Sequence, residues 1–205
     1  MSLTVRQLAC IREQRLLFRG VQFTLQPGQA LHVSGANGVG KSTLLRILAG
    51  LRRGDQGQIL WQQQPMEAEH YRQQLFFLGH QTGLLAELTP VENLCYGRIL
   101  AGEPVTQQQA HEALQAVNMD HHAQRWVGQL SAGQQRRVKL AELWLTRRPL
   151  WLLDEPFTAL DVQGVAQLQQ RIHRHLTQQG MVVFTTHQPI ESSQWRPQSL
   201  HLTGH

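Results

Sequence analysis

Gly35-Ala36-Asn37-Gly38-Val39-Gly40-Lys41-Ser42-Thr43 is the stretch on which the reading of this 205-residue chain turns. It fits the pattern G-x-x-x-x-G-K-[ST] of the Walker A phosphate loop. The apolar segment before it, Ala30-Leu31-His32-Val33-Ser34, predicts a strand. The segment after it, Thr43-Leu44-Leu45-Arg46-Ile47-Leu48-Ala49, predicts a helix that ends at Gly50. Strand, glycine loop and helix together are the context that this motif needs. The glycines let the backbone wrap closely and turn several N–H groups inward, and the helix start brings its positive end to the same place. Lys41 would reach the β- and γ-phosphates of a nucleotide, and the Ser42 hydroxyl would bind Mg²⁺. The sequence holds only two lysines, Lys41 and Lys139, and one of them stands where a compact ammonium is needed.

The composition bounds what else the chain can be. Hydrophobic residues make up 41 % and charged residues 16 %, which fits a globular fold with a sizeable core and glutamine in place of charge on exposed faces. No uninterrupted apolar run reaches the ~18 residues of a membrane span. Met1-Ser2-Leu3-Thr4-Val5-Arg6 lacks a secretory apolar region. Cys10 and Cys95 form no disulfide or metal framework, so a reducing cytosol is the expected setting. The formal net charge of +5 suits nucleic acid, an anionic membrane surface and nucleotide phosphates equally, so charge alone does not choose among them.

Along the chain, residues 3–8 predict a first strand, and Arg12-Glu13-Gln14-Arg15 a bend. Leu16-Leu17-Phe18 and Val21-Gln22-Phe23-Thr24-Leu25 predict a second strand region. Gln26-Pro27-Gly28-Gln29 is a turn before the phosphate loop. Short strands follow at Gln58–Trp61 and within Gln73–Gly79. The texture then changes. Thr89 precedes Pro90 as a helix cap, and helical periods run from there to Leu145, with Thr106 and Ser131 capping two further helices. Strand texture returns at Leu150-Trp151-Leu152-Leu153. A helix over Val162–Leu176 and a strand over Met181–Thr186 complete the pattern. The expected architecture is α/β with an inserted helical block.

Leu150-Trp151-Leu152-Leu153-Asp154-Glu155 is an apolar strand ending in two acids, the Walker B pattern. A continuous apolar run reads as a strand buried on both faces, and ligands bind at the carboxyl ends of such strands. Asp154 would hold Mg²⁺, and Glu155 would act on the attacking water as general base.

Leu130-Ser131-Ala132-Gly133-Gln134 begins with a serine 23 positions before Asp154. With these motifs the chain resembles the nucleotide-binding subunits of ATP-binding cassette (ABC) transporters, whose signature is Leu-Ser-Gly-Gly-Gln. Ala132 departs from that signature. The resemblance implies a P-loop NTPase fold: a RecA-like core over 1–83 and 149–205 with an antiparallel β edge, and a helical subdomain over 84–148. All of it forms one ATPase domain spanning 1–205. It implies ATP and Mg²⁺ as ligands, and a homodimer in which Ser131 and Gly133 close on the γ-phosphate held by the opposite subunit. Gln81 matches the Q-loop glutamine, which touches the metal and the attacking water. Ala159-Leu160-Asp161 matches the D-loop, which crosses the dimer interface. His187 matches the switch histidine, which contacts the γ-phosphate. The family usually stacks an aromatic residue on adenine. Counting back from Leu17-Phe18-Arg19-Gly20 puts that position at Ile11 or Arg12, and Arg12 offers a guanidinium plane instead.

Gly35-Ala36-Asn37-Gly38, Ile59-Leu60-Trp61, Leu78-Gly79-His80-Gln81-Thr82-Gly83, Leu130–Arg137 and Thr185-Thr186-His187-Gln188-Pro189 are similar to the CcmA family, the ATPase subunits of bacterial cytochrome c maturation. That narrower resemblance implies an integral membrane partner of the CcmB type, with CcmC and CcmD nearby. It also implies a peripheral position on the cytoplasmic face of the inner membrane and no direct contact with nucleic acid. Two other classes are weighed against it. A soluble cassette ATPase acting on nucleic acid or the ribosome usually carries two cassettes or a long coiled-coil insertion. A P-loop kinase should lack the signature helix and the switch histidine. The pairs His121/His122 and His173/His175 have no such context, and a metal site there is not expected.

Overall fold

The computed structural model describes residues 1–66, 68–158, 160–188 and 194–203. Ala159 of the D-loop match, and Pro189 and Ile190 beyond His187, lie outside them. By its internal contacts the chain divides into two units. One is Met1–Gly79, Arg148–Pro156 and His173–His205, and the other is His80–Arg147 and Phe157–Ile172.

The first unit carries two sheets. Strands β1 (Leu3–Arg12), β2 (Arg15–Leu25), β4 (Gln56–Trp61) and β5 (Gln64–Pro65) form an antiparallel sheet in the order β2-β1-β4-β5. The bend expected at Arg12–Arg15 is a two-residue hairpin turn. Glu13 and Gln14 both take positive φ (48° and 64°), the twist that joins adjacent antiparallel strands tightly. The apolar–polar alternation of β1 fails at Arg6-Gln7 because a bulge sits there, with Gln7 at φ 47°. Gly57 lies opposite it, and a Cβ at Gly57 would stand 2.5 Å from the Gln7 carbonyl oxygen.

Strands β3 (Ala30–Ser34), β6 (Leu75–Leu78), β7 (Leu150–Leu153), β8 (Met181–Thr185) and β9 (Gln198–His201) form a parallel sheet in the order β6-β7-β8-β3-β9. Every residue of β7 and β8 is buried, as the uninterrupted apolar runs require. β9 carries no apolar run, since Gln198-Ser199-Leu200-His201 is largely exposed at the sheet edge. Helix α1 (Lys41–Leu48) follows β3, and the short helix α2 (Ala68–Arg72) precedes β6. Leu44, Leu45, Ile47 and Leu48 of α1 pack into one core with Leu3, Val5, Leu31, Val33, Leu150, Leu152, Met181 and Val183. Tyr71 closes that core, and its hydroxyl donates to the Leu48 carbonyl at 2.7 Å.

The second unit is helical. It holds α3 (Pro90–Leu100), α4 (Gln107–Gln115), α5 (Ala132–Leu145) and the first part of α6 (Val162–Thr177). The three caps read from the sequence each form a reciprocal capping box: Thr89 with Glu92, Thr106 with Gln109, and Ser131 with Gln134. The Asn93 side chain fastens the loop ahead of α3. It accepts from Leu85 N–H at 2.7 Å and donates to the Leu85, Leu88 and Thr89 carbonyls. Arg98 is buried between the carboxylates of Glu103 and Glu142, and Lys139 joins Glu142 at 2.6 Å. Together they tie α3 to α5.

Candidate active site

β3 delivers the chain into the phosphate loop, where Gly35, Gly38 and Gly40 take φ of 140°, 77° and 105°. A Cβ at Gly35 would lie 2.6 Å from the Leu202 carbonyl oxygen. The residue after β9 can therefore seat against the loop only because position 35 has no side chain. Ala36, Asn37 and Gly38 form an exposed tip, and buried Val39 pins it down. Gly40 is the N-cap of α1. No side chain caps this helix, and no acidic residue lies in its first turn. No residue of the helix itself thus offsets its positive end. Lys41 is 8 % exposed, and its ammonium donates to the Gly35 and Ala36 carbonyls at 2.9 and 3.1 Å. Its partners are neutral oxygens. A cation held this way gains strongly from an anion brought into the loop. Thr43, half-buried, completes the first turn of α1.

Asp154 directly follows β7, and its N–H donates to the Leu78 carbonyl of β6 at 2.8 Å. Its Oδ1 accepts from Ser42 Oγ at 3.1 Å and from Thr185 Oγ1 at 2.8 Å. Thr185 Oγ1 also accepts from Glu155 N–H at 2.9 Å. One buried hydroxyl therefore fixes both acids after β7. Glu155 takes φ 51°, the left-handed region that costs a glutamate energy, and there its carboxylate Oε1 stands 3.4 Å from His187 Nε2. His187 is more than half exposed. A second histidine supports it from β3: His32 Nε2 donates to the Thr186 carbonyl at 3.3 Å, and its ring stacks on Phe184. Lys41, Ser42, Asp154, Glu155 and His187 are thus brought together at the carboxyl ends of β3, β7 and β8. Ser42 Oγ and Asp154 Oδ1 are adjacent hard oxygen donors. Such a pair fits Mg²⁺, which is held by one or two protein oxygens together with substrate phosphates.

Thr185 and His32 escape sequence reasoning. Thr185 had one signal, a hydroxyl closing an otherwise apolar strand. His32 had none, because a histidine in a strand carries no indication of its cross-strand neighbour.

Four predicted site residues belong to the helical unit. Ser131 is exposed and caps α5; its Oγ accepts from Gln134 N–H at 3.3 Å. Ala132 opens α5 as an exposed residue in ordinary helical geometry, which any side chain adopts. Gly133 follows in the same turn, half-buried. Asp161 accepts from Gly164 N–H at 2.8 Å and pairs with Arg137 of α5 at 3.2 Å. These two contacts, the Gly164 N–H first, hold its carboxyl below the usual carboxylate range. Gln81 lies exposed in a bend beyond β6.

Ile11 and Arg12 lie at the end of β1, before the hairpin turn. Arg12 is solvated and lies 3.5 Å from Glu13. The Ile11 backbone is held on both sides, by Asp55 Oδ2 at 2.8 Å and by Arg52 at 3.2 Å, while 47 % of the residue stays exposed.

Comparison with known proteins agrees with this geometry. The ABC transporter family model matches residues 18–158. The cytochrome c biogenesis ATP-binding export protein CcmA of Escherichia coli O157:H7 is 48 % identical over 204 residues, covering 98 % of this chain and 96 % of that protein. The protein of the same name from Shigella flexneri gives the same figures. Among solved structures, a putative ABC transporter ATP-binding protein from Pyrococcus furiosus superposes with a TM-score of 0.84 at 23 % identity, covering 98 % of each chain. The ATP-binding cassette MJ0796, a dimer bound to ADP and Pi, superposes with a TM-score of 0.80 at 23 % identity, covering 91 % of this chain and 88 % of its own.

Proposed function

Because the chain belongs to the ABC transporter family and, at 48 % identity over nearly its whole length, to the CcmA branch of it, we propose that it is the ATP-hydrolysing subunit of a cytochrome c biogenesis exporter. The observation that carries the catalytic part is the convergence of a buried ammonium on neutral carbonyls, a serine–aspartate oxygen pair and a glutamate–histidine pair at the carboxyl ends of one parallel sheet.

The residues divide the work as follows. The loop Gly35–Thr43 wraps the phosphates with N–H groups, and Lys41 turns from its carbonyls toward the β- and γ-phosphates. Ser42 and Asp154 would hold Mg²⁺, and the family resemblance assigns Gln81 to the same ion. When bound, that ion would neutralise phosphate charge. Glu155 orients the attacking water and receives its proton, and His187 contacts the γ-phosphate from the next strand. Arg12 packs along the adenine. Ser131 and Gly133 contribute to the nucleotide of a second protomer, across an interface that Asp161 lines. Dimeric MJ0796 is the precedent for such pairing. The 1–205 chain works as one ATPase domain, with core 1–83 and 149–205 and helical part 84–148.

No helix among the described residues is long and apolar enough to cross a membrane. The translocating half is accordingly a separate integral protein of the CcmB type, with CcmC and CcmD, and this chain sits against it on the cytoplasmic face. Co-purification from detergent-solubilised membranes tests the assignment. Recovery of cytochrome-maturation membrane proteins, with inorganic phosphate as the product released from ATP, is expected. A phosphorylated small-molecule acceptor, or ATP turnover that rises only with added RNA or DNA, would overturn it.

A further inference from the structure

His122 ends the short 3₁₀ turn Asp120–His122 that precedes α5. Its Nε2 lies 3.0 Å from the side-chain nitrogen of Gln134. Gln134 is the last residue of the signature stretch, and the other end of its amide is already committed. Gln134 Oε1 accepts from Ser131 N–H at 2.9 Å, and a backbone N–H can face only an acceptor. The amide is therefore fixed with its NH₂ toward His122. An amide NH₂ only donates, so His122 Nε2 must offer a lone pair. The imidazole is then neutral with its proton on Nδ1. That Nδ1 is fully buried and has no hydrogen-bond partner among the described residues. A buried N–H left without an acceptor is costly. The fold keeps it, and in exchange the amide gains a second anchor.

The chain of contacts ends on Ser131. Its N–H is taken by Gln134 Oε1, and its Oγ accepts from Gln134 N–H. Its N–H and its Oγ are thus both engaged by one residue, while its carbonyl accepts from Gln135 N–H at 2.9 Å and the hydroxyl proton stays available to a ligand. If the Gln134 amide turned over, its NH₂ would meet the Ser131 N–H and the cap would open.

We infer that His122 is a positioning residue for Ser131: as a neutral Nδ1–H imidazole it locks the Gln134 amide, which holds the capping serine with its hydroxyl free to meet a phosphate. The last step rests on the proposed role of Ser131 at the nucleotide of a partner protomer. The lock itself does not.

The test uses the full chain with ¹⁵N-labelled histidine and two variants. His122→Gln keeps an acceptor oxygen, whereas His122→Leu removes it. In the unmodified protein, long-range proton–nitrogen spectra should show His122 protonated on Nδ1 and bare on Nε2. Its signal is identified by its loss in His122→Gln. A proton on Nε2 would overturn the inference without any variant having to fold. Amide exchange at Ser131 should quicken about tenfold in His122→Leu and return to within about twofold in His122→Gln, while Leu140 inside α5 is unchanged. Equal Ser131 exchange in all three proteins would also overturn it. The ATP concentration for half-maximal dimerisation should rise about tenfold in His122→Leu and be restored by glutamine. Faster Ser131 exchange with unaltered dimerisation would uphold the lock and count instead against a phosphate contact by Ser131.

Discussion

Ser42 and Asp154 meet at 3.1 Å although 112 positions separate them, and Thr185 closes on the same carboxylate oxygen at 2.8 Å. Asp154 thus joins the end of β7 to the start of α1 and to β8. Replacing Thr185 by valine keeps the shape but removes the hydroxyl that serves both Asp154 and Glu155 N–H. Thr185 is fully buried, so the variant takes an acceptor from Glu155 N–H and a donor from Asp154 in a buried place. We expect Thr185→Val to lose about 2–3 kcal/mol of stability. Turnover should fall at least about tenfold, because both acids lose their common anchor. Thr185→Ser keeps the hydroxyl, and should lose only about 1 kcal/mol for the missing methyl while retaining activity. Denaturant midpoints and steady-state ATPase rates on the two variants check this. Equal behaviour of valine and serine would refute the anchoring role.

Glu155 and His187 face each other at 3.4 Å across the ends of β7 and β8. Glu155→Gln preserves size and hydrogen bonding but removes the base. We expect it to bind ATP within a few-fold of the unmodified protein and to lose about 10²–10³ in turnover. Nucleotide binding by fluorescence and phosphate release by single turnover separate the two effects. Full hydrolysis by this variant would remove Glu155 from the mechanism.

Much of this was legible in the sequence because its signals are local. The strand–loop–helix around Lys41, the apolar runs of β7 and β8, and three helix caps each declare themselves within a few residues. What escaped depends on partners far along the chain. β9 is polar and takes its place by pairing with β3, so its own composition says nothing. The alternation of β1 breaks at a bulge that packs against Gly57, fifty residues on, where a Cβ would collide with it. The joint service of Thr185 to two acids needs the sheet order, which periodicity does not contain.

Asp161 gives a pH signature. The Gly164 N–H and then Arg137 hold its carboxyl below the usual carboxylate range. A carboxyl lowered in the folded state stabilises the fold fully above its unfolded value, and the contribution is lost as pH falls through the folded value. The Asp161 contribution is therefore complete near neutrality and disappears below about pH 4. Asp161→Asn should lower the thermal midpoint at pH 7, and the gap to the unmodified protein should narrow as pH drops below 4. A constant gap from pH 7 to pH 3 would show that the charge is not what Gly164 and Arg137 read. Melting curves in matched ionic strength are the measurement, since the site is exposed and salt screens it.

Gly35 joins the phosphate loop to the backbone after β9. Its φ of 140° disfavours any side chain, and a Cβ there would stand 2.6 Å from the Leu202 carbonyl oxygen. That oxygen belongs to backbone directly after β9, whose pairing with β3 leaves little room to retreat. Gly35→Ala must therefore either push β9 from the sheet edge or distort the loop. We expect a loss on the order of 2–4 kcal/mol from strain and overlap together. ATP affinity should fall with it, because the N–H groups of the loop lose their common aim. Gly38→Ala is the control, since nothing lies within 4 Å of a Cβ there although its φ of 77° is also positive. It should lose only about 1 kcal/mol, the cost of the left-handed backbone alone. Hydrogen exchange at Leu200 and Leu202 distinguishes the two routes. Faster exchange there in Gly35→Ala alone places the collision at β9. Equal stability of the two alanine variants would mean that the contact with Leu202 does not constrain the loop.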